Sequence, residues 1–298
     1  MKPAVGIVGL GIMGSAMAEA LLAHGYRVTG YDIRAEACRR LKKAGGEPLA
    51  SATAVAASAE IVITSLATAA ALAATVAKIA EAGRAGLLVI ETSTLPLAAK
   101  DRARRTLRRT GIATLDCPIS GTAVRMKEGA WTIFASGSRA AFKRAQPVLG
   151  VFTQKVPYVG AYGNGTRMKF SANHMVAILN VATAEALTFA RKMGLDPRQV
   201  WELFATSPVI GNGVYRLRGK LMIEGRYRPA TMKVEVWQKD MQVIGEMARS
   251  VDCPTPLFSA CEPLYSAAMG RGLGQSDTAS VCEVLGAMAG IERRRGKR

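Results

Sequence analysis

At 298 residues, 49% of them hydrophobic, the chain holds one large or two ordinary domains and is too apolar to be disordered. Its formal net charge of +18 invites a nucleic-acid partner, but no zinc-finger, aromatic RNP-type or helix-turn-helix pattern accompanies it, so the basic residues read as solvated faces whose field attracts small anions. Five scattered cysteines without C-x-x-C, two histidines at no ligand spacing and no long apolar run exclude a disulfide framework, a metal site, a signal peptide and a membrane span, and point to the cytoplasm.

The run Ala4–Val8 is short, apolar and bounded by glycine, as in a parallel strand buried on both faces. Gly9, Leu10, Gly11, Ile12, Met13 and Gly14 follow as G-x-G-x-x-G and lead into an apolar helical pattern through Met17, Leu21 and Leu22. In that strand–turn–helix setting the first glycine permits the tight turn, the second lets backbone approach a pyrophosphate, and the third lets helix pack on strand. The helix N-terminus then offers free N–H groups to phosphate. A second strand, Arg27–Tyr31, ends at Asp32, twenty-three residues after Gly9. An acidic side chain there binds both ribose hydroxyls and repels a 2′-phosphate, so NAD is favoured. Arg34 leaves NADP possible, because a guanidinium two residues on could hold that phosphate.

Further along, a polar helix is expected over Ala35–Ala44, a strand over Ile61–Ser65, and an alanine-rich helix to about Glu81. A strand at Leu87–Ile90 follows, then a basic helix with Pro96 in its first turn. Ala113–Asp116, Trp131–Phe134 and Lys155–Val159 read as more strands. Alternation of this kind implies an α/β, Rossmann-type doubly wound, mostly parallel sheet, with Ser65, Leu66, Ser93 and Thr94 at the carboxyl ends of its strands. Past Gly163 the character changes. A proline-free, glycine-free stretch from Met168 to Met193 predicts a long connecting helix, and helices follow at Arg198–Ala205, Met232–Ser250, Pro256–Met269 and Thr278–Ala289. Gly211–Arg228, glycine-rich and basic, carries no clear assignment. Two domains are expected: 1–163 for the dinucleotide, and 164–298, all-helical, ending in the basic tail Arg293–Arg298.

On the long helix, Lys169 and Asn173 sit four residues apart, so both leave one face. An amine beside an amide suits the movement of a proton on and off a substrate hydroxyl. His174 points about a hundred degrees away and reads as structural. His24 fits a helix C-terminus, Cys117 a small buried position, and Asp240 a structural partner of nearby arginines.

Four motifs in order make the whole chain resemble the β-hydroxyacid dehydrogenase family, the group of 3-hydroxyisobutyrate dehydrogenase, tartronate semialdehyde reductase and glyoxylate/succinic semialdehyde reductases. They are the cofactor loop Gly9–Gly14, the segment Asp116–Gly121 resembling D-x-P-V-S-G-G, the segment Gly160–Asn173 resembling G-x-G…K…N, and Lys239-Asp240 resembling K-D-L. The resemblance implies hydride transfer between nicotinamide and a small 3-hydroxy acid or its semialdehyde. It makes Lys169 the general acid/base, helped by Asn173, with Ser120 and Gly121 on the substrate carboxylate and Thr122 beside them. Lys239 would lie near both substrate and nicotinamide. A lysine base needs its pKa lowered, for which Arg167 and Lys239 are candidate neighbours. The resemblance further implies a homodimer or tetramer through the helical domain. Thr122, His174 and Met232 depart from the family pattern and bear on the substrate side chain. Competing readings are an imine reductase on the same fold, which generally lacks the lysine, and a non-catalytic dinucleotide-sensing or nucleic-acid-binding protein. A 6-phosphogluconate dehydrogenase would need a longer C-terminal domain.

Overall fold

The structure is a computed structural model that describes residues 2–122, 126 and 128–291; the basic tail Arg293–Arg298 lies outside the described residues. The chain divides into two compact units, Met1–Phe170 and Ser171–Arg298.

In the first unit β1 (Val5–Val8), β2 (Val28–Tyr31), β3 (Glu47–Pro48), β4 (Ile61–Thr64), β5 (Leu88–Glu91) and β6 (Ala113–Asp116) form a parallel sheet in the order β3-β2-β1-β4-β5-β6. Every residue of β1, β4 and β5 is buried. Their valine, isoleucine and leucine side chains therefore feed two cores, one on each face of the sheet. Ile61 and Ile63 join the core with Ile7, Met17, Leu21 and Phe142, while Val62 joins that with Val55, Leu72, Val76 and Leu107. Helices α1 (Ile12–Ala23), α2 (Ala35–Lys43) and α6 (Arg139–Leu149) contribute to the first core, and α3 (Ala52–Ser58), α4 (Ala69–Glu81) and α5 (Leu97–Arg109) to the second. Strand order reverses between β1 and β4, which places a crevice at their carboxyl ends.

The expected strands after β6 are corrected. Only Thr132–Ile133 (β8) of the Trp131–Phe134 run is strand, and it leaves the sheet to pair antiparallel with β7 (Ile119–Ser120). Lys155–Val159 forms only a single bridge, Tyr158 to Ala135, because Pro157 has no N–H to continue a ladder. The edge beside β6 is instead β9 (Ser136–Gly137), antiparallel. Pro96 caps α5 rather than entering its first turn. His24 caps α1, its Nδ1 2.8 Å from the Ala20 carbonyl.

Helix α7 (Asn164–Lys192) starts four residues before the expected Met168 and is about 43 Å long. The second unit contains the rest of α7 with α8 (Pro197–Thr206), α9 (Gly213–Glu224), α10 (Val234–Ser250), α11 (Pro256–Gly270) and, after a 3₁₀ turn at Thr278–Ser280, α12 (Val281–Met288). Helix α9 fills the unassigned segment. Asn212 caps it by accepting from the Val214 and Tyr215 amides, and Gly225 ends it at φ 65°. Helix α10 buries Val234, Trp237, Met241 and Ile244, one face at helical spacing. Arg218 and Asp277 form a buried ion pair here. Burial alone would raise the Asp277 carboxyl, but the Arg218 charge and hydrogen bonds from Ala279 and Thr231 outweigh it and hold the group below the usual carboxylate range. Among the described residues no helix is long and apolar enough to cross a membrane.

Candidate active site

The turn after β1 closes on itself. A Cβ at Gly9, whose φ is 94°, would stand 2.2 Å from the Ser65 carbonyl oxygen, and one at Gly14 would stand 1.9 Å from the Gly9 carbonyl oxygen. Neither position admits a side chain. Gly11 differs: a Cβ there would meet only the Arg34 guanidinium, at 3.8 Å. Space therefore opens over Gly11, and no side chain caps the α1 N-terminus beside it. Leu10 is buried in the core, whereas Ile12 is exposed and Met13 partly so. An open glycine next to uncapped helix N–H groups is the cradle a pyrophosphate needs, so the residues fit a dinucleotide.

Asp32 follows β2 and turns its carboxylate back to this turn. Its Oδ2 accepts from the Leu10 amide at 2.8 Å, and its Oδ1 from the Arg34 amide at 2.9 Å. The Arg34 side chain adds Nε to Oδ1 at 3.0 Å and Nη2 to Oδ2 at 3.2 Å. Burial would raise this carboxyl, but the hydrogen bonds and charge of Arg34, with the Leu10 amide, hold it below the usual range. The Arg34 side chain is 59% exposed and that of Asp32 only 7%. Arginine is thus the partner free to move.

Ser65 and Leu66 leave β4 as expected, and Ser93 leaves β5. The Leu66 amide donates to Ser93 Oγ at 2.8 Å, and the Ser93 amide donates to Glu91 Oε1 at 2.9 Å, which ties the two loops together. Thr94 is half-buried one residue on. Ser120 closes β7 opposite Thr132, so it belongs to a ribbon rather than a simple turn. Gly121 and Thr122 continue from it, and the Thr122 carbonyl accepts from Trp131 Nε1 at 2.7 Å. Cys117 is fully buried, and that burial, with the Asp116 charge beside it, pushes its thiol far up.

Lys169 and Asn173 are both buried on α7, at 7% and 4% exposure. Within the second unit Asn173 Nδ2 donates to Asp240 Oδ2 at 2.9 Å, which leaves its Oδ1 available as an acceptor. Lys239 pairs with Asp240 Oδ1 at 3.2 Å. The expectation that Asp240 partners arginines is thereby corrected: it is held by the Asn173 amide and the Lys239 ammonium. His174 stacks on Phe258 at 5.1 Å and 11°. Trp237 lies in the core against Tyr265.

Asp116 gathers three residues that no sequence motif marks, Glu91, Lys100 and Thr166. Lys100 is fully buried and pairs with Glu91 Oε2 at 2.6 Å and Asp116 Oδ1 at 2.8 Å. Asp116 also accepts from the Thr166 amide at 2.7 Å and the Thr166 hydroxyl at 2.8 Å. The signal for Lys100 was present: it shares the buried face of α5 with Ala99, Ala103 and Leu107, where a lone cation needs a partner.

Comparisons with known proteins agree with this geometry. Residues 4–160 match the NAD binding domain of 6-phosphogluconate dehydrogenase, and residues 163–285 match the NAD-binding domain of NADP-dependent 3-hydroxyisobutyrate dehydrogenase. L-threonate dehydrogenase of Cupriavidus necator is 30% identical over 290 residues, covering 96% of this chain and 97% of its own. Human mitochondrial 3-hydroxyisobutyrate dehydrogenase is 30% identical over 302 residues, covering 95% and 87%. The crystal structure of 3-hydroxyisobutyrate dehydrogenase from Salmonella typhimurium gives a TM-score of 0.85 at 27% identity, over 95% of this chain and 100% of its own. With a dinucleotide turn at one end of this match and helical relatives through the other, the chain belongs to the β-hydroxyacid dehydrogenase family of nicotinamide-dependent oxidoreductases.

Proposed function

We propose that the protein oxidises a small hydroxy acid, or reduces its semialdehyde, with Lys169 as general acid/base. The observation that carries this reading is a buried lysine one helical turn before an asparagine whose amide is fixed by Asp240. Gly9, Gly11, Gly14 and the α1 N-terminus hold the pyrophosphate, and Asp32 holds the adenosine ribose. Leu10, Ile12 and Met13 complete that turn, and Ser65, Leu66, Ser93 and Thr94 border the nicotinamide half. When bound, the nicotinamide accepts or supplies the hydride at the carbinol carbon. In oxidation Lys169 takes the hydroxyl proton, and in reduction it returns that proton to the developing alkoxide. Asn173 orients the same oxygen. Ser120 and the Gly121 amide bind the substrate carboxylate, with Thr122 beside them, and Lys239 adds a cation for substrate and nicotinamide. The net charge of +18 favours encounter with both anions.

The test is a panel of 3-hydroxyisobutyrate, L-threonate and succinic semialdehyde with NAD or NADP and their reduced forms, followed by the near-ultraviolet absorbance of reduced nicotinamide. Turnover of at least one supports the reading; dinucleotide binding with no turnover on any acid or semialdehyde rejects it. Cytoplasmic residence is proposed alongside, on five free thiols. A dimer or tetramer through the helical unit is supported by exposed Phe189, Leu203 and Leu257, and light scattering checks it.

For the cofactor, NAD is the proposed partner. Asp32 presents a charge that repels a 2′-phosphate, yet its oxygens already accept from Leu10 and Arg34. Ribose hydroxyls therefore gain the carboxylate as the exposed Arg34 side chain swings off. Asp32→Asn removes the repulsion and releases Arg34 toward a phosphate. The NADP-to-NAD ratio of kcat/KM should rise on the order of tenfold, about 1.4 kcal/mol. An unchanged ratio would place cofactor choice elsewhere.

A further inference from the structure

We propose that the buried ion cluster Glu91–Lys100–Asp116 fixes the first turn of α7 relative to the cofactor loops, which makes Lys100 and Thr166 positioning residues for Lys169. The inference rests on the reading of Lys169 as the acid/base. An unbroken chain of polar contacts runs through the first unit. It begins at the Leu66 amide on Ser93 Oγ, 2.8 Å, and the Ser93 amide on Glu91 Oε1, 2.9 Å. Lys100 then bridges Glu91 Oε2 at 2.6 Å and Asp116 Oδ1 at 2.8 Å. Asp116 receives the amide and the hydroxyl of Thr166 at 2.7 and 2.8 Å. One end is therefore a pair of loops at the strand carboxyl ends; the other is the helix that carries Lys169.

The helix end is held at more than one point. The Gly165 amide donates to Ser136 Oγ at 3.0 Å, and Ser136 Oγ donates to the Asp116 carbonyl at 3.1 Å. A Cβ on Gly165 would come within 2.3 Å of the Phe134 carbonyl oxygen, so α7 starts hard against the backbone. Lys169 is three residues beyond Thr166, about 4.5 Å along the axis and on the same side of the helix. Three buried charges are a poor choice for stability alone, since packed apolar side chains often serve as well. They are a good choice for position, because short charge-assisted bonds at low dielectric are strong and directional. Proton and hydride transfer both depend on sub-ångström placement, and the cluster joins the groups responsible for each.

Thr166→Val removes the hydroxyl donor at nearly constant volume, and Thr166→Ser restores a hydroxyl. The readouts are kcat with the fastest substrate of the panel, and the NAD dissociation constant from fluorescence of reduced nicotinamide displaced by NAD. The expected result for Thr166→Val is a kcat lower by about ten- to a hundredfold, NAD affinity within about twofold, and recovery of most of the kcat in Thr166→Ser. Glu91→Gln keeps the acceptor for the Ser93 amide while weakening the link to Lys100, and should show the same split between kcat and affinity. This variant decides the matter if Thr166→Val fails to fold. Wild-type kcat in both Thr166→Val and Glu91→Gln overturns the proposal, as does a loss that Thr166→Ser shares in full. Failure of the underlying reading shows separately, as an active Lys169→Ala.

Discussion

Lys169→Ala should lower turnover by about 10²- to 10⁴-fold and leave NAD affinity within a small factor of the starting protein. The asymmetry follows from where the residue sits. The dinucleotide cradle proposed above is the β1–α1 turn with Asp32, whose shape is set by Gly9, Gly14 and the Leu10 amide rather than by the lysine side chain. The substrate oxygen, by contrast, must exchange a proton as hydride moves, and alanine offers no group to do it. Lys169→Arg sharpens the result. It keeps a positive charge at the position, but a guanidinium does not give up its proton in a protein, so turnover should stay low. Stopped-flow absorbance, with fluorescence titration of the dinucleotide, measures both quantities. An arginine variant with most of its activity would convert Lys169 from an acid/base into a fixed electrostatic group, and an active alanine variant would remove it from the chemistry.

Lys100→Met should lower unfolding stability by about 3–5 kcal/mol, the cost of leaving buried charge without its counter-ion. Methionine fills a similar volume, so the loss is electrostatic rather than a cavity. Glu91 and Asp116 would then face one another across the position of a cation that lies 2.6 and 2.8 Å from them. Adding Glu91→Gln to Lys100→Met removes one of the two negative charges and should recover part of the loss, a coupling that a double-mutant cycle reads directly. The pH dependence has a definite sign. Burial would lower the Lys100 amine, but the charges and hydrogen bonds of Glu91 and Asp116 raise it above the usual lysine range. A raised lysine stabilises at all pH values below its unfolded pKa, and the contribution fades only as pH climbs through the higher folded value. The wild-type advantage over Lys100→Met should accordingly hold through neutral pH and decline in strong alkali. Urea unfolding at several pH values checks this; a difference below about 1 kcal/mol at neutral pH would mean that Glu91 and Asp116 lose their counter-ion at little cost.

The tight β1–α1 turn was legible in the sequence because its requirements are local. Gly9 and Gly14 answer to atoms a few residues away or one strand over, and Asp32 stands at a fixed place after β2. Helix α7 was legible too, as a long stretch without breakers. Its true start was hidden, since Asn164 and Gly165 look like loop residues until Ser136 and Asp116 supply partners for the backbone. Helix α9 was overlooked beneath its glycine and arginine content, although Asn212 and Gly225 mark both of its ends. The ribbon β7–β8 and the edge strand β9 were misread because two-residue strands carry no periodicity. The ion cluster was invisible for a different reason: Glu91, Lys100, Asp116 and Thr166 come from four elements, and only their pairing gives any one of them meaning.

Buried Cys117 has a chemical consequence for the segment that carries Ser120. A thiol kept protonated and away from solvent is a poor nucleophile, so iodoacetamide, peroxide and disulfide reagents have little purchase on it. Cys253, by contrast, is exposed at the end of α10. A maleimide dye placed on Cys253 therefore offers a reporter on the helical unit that leaves the buried thiol of the Asp116–Gly121 segment unmodified.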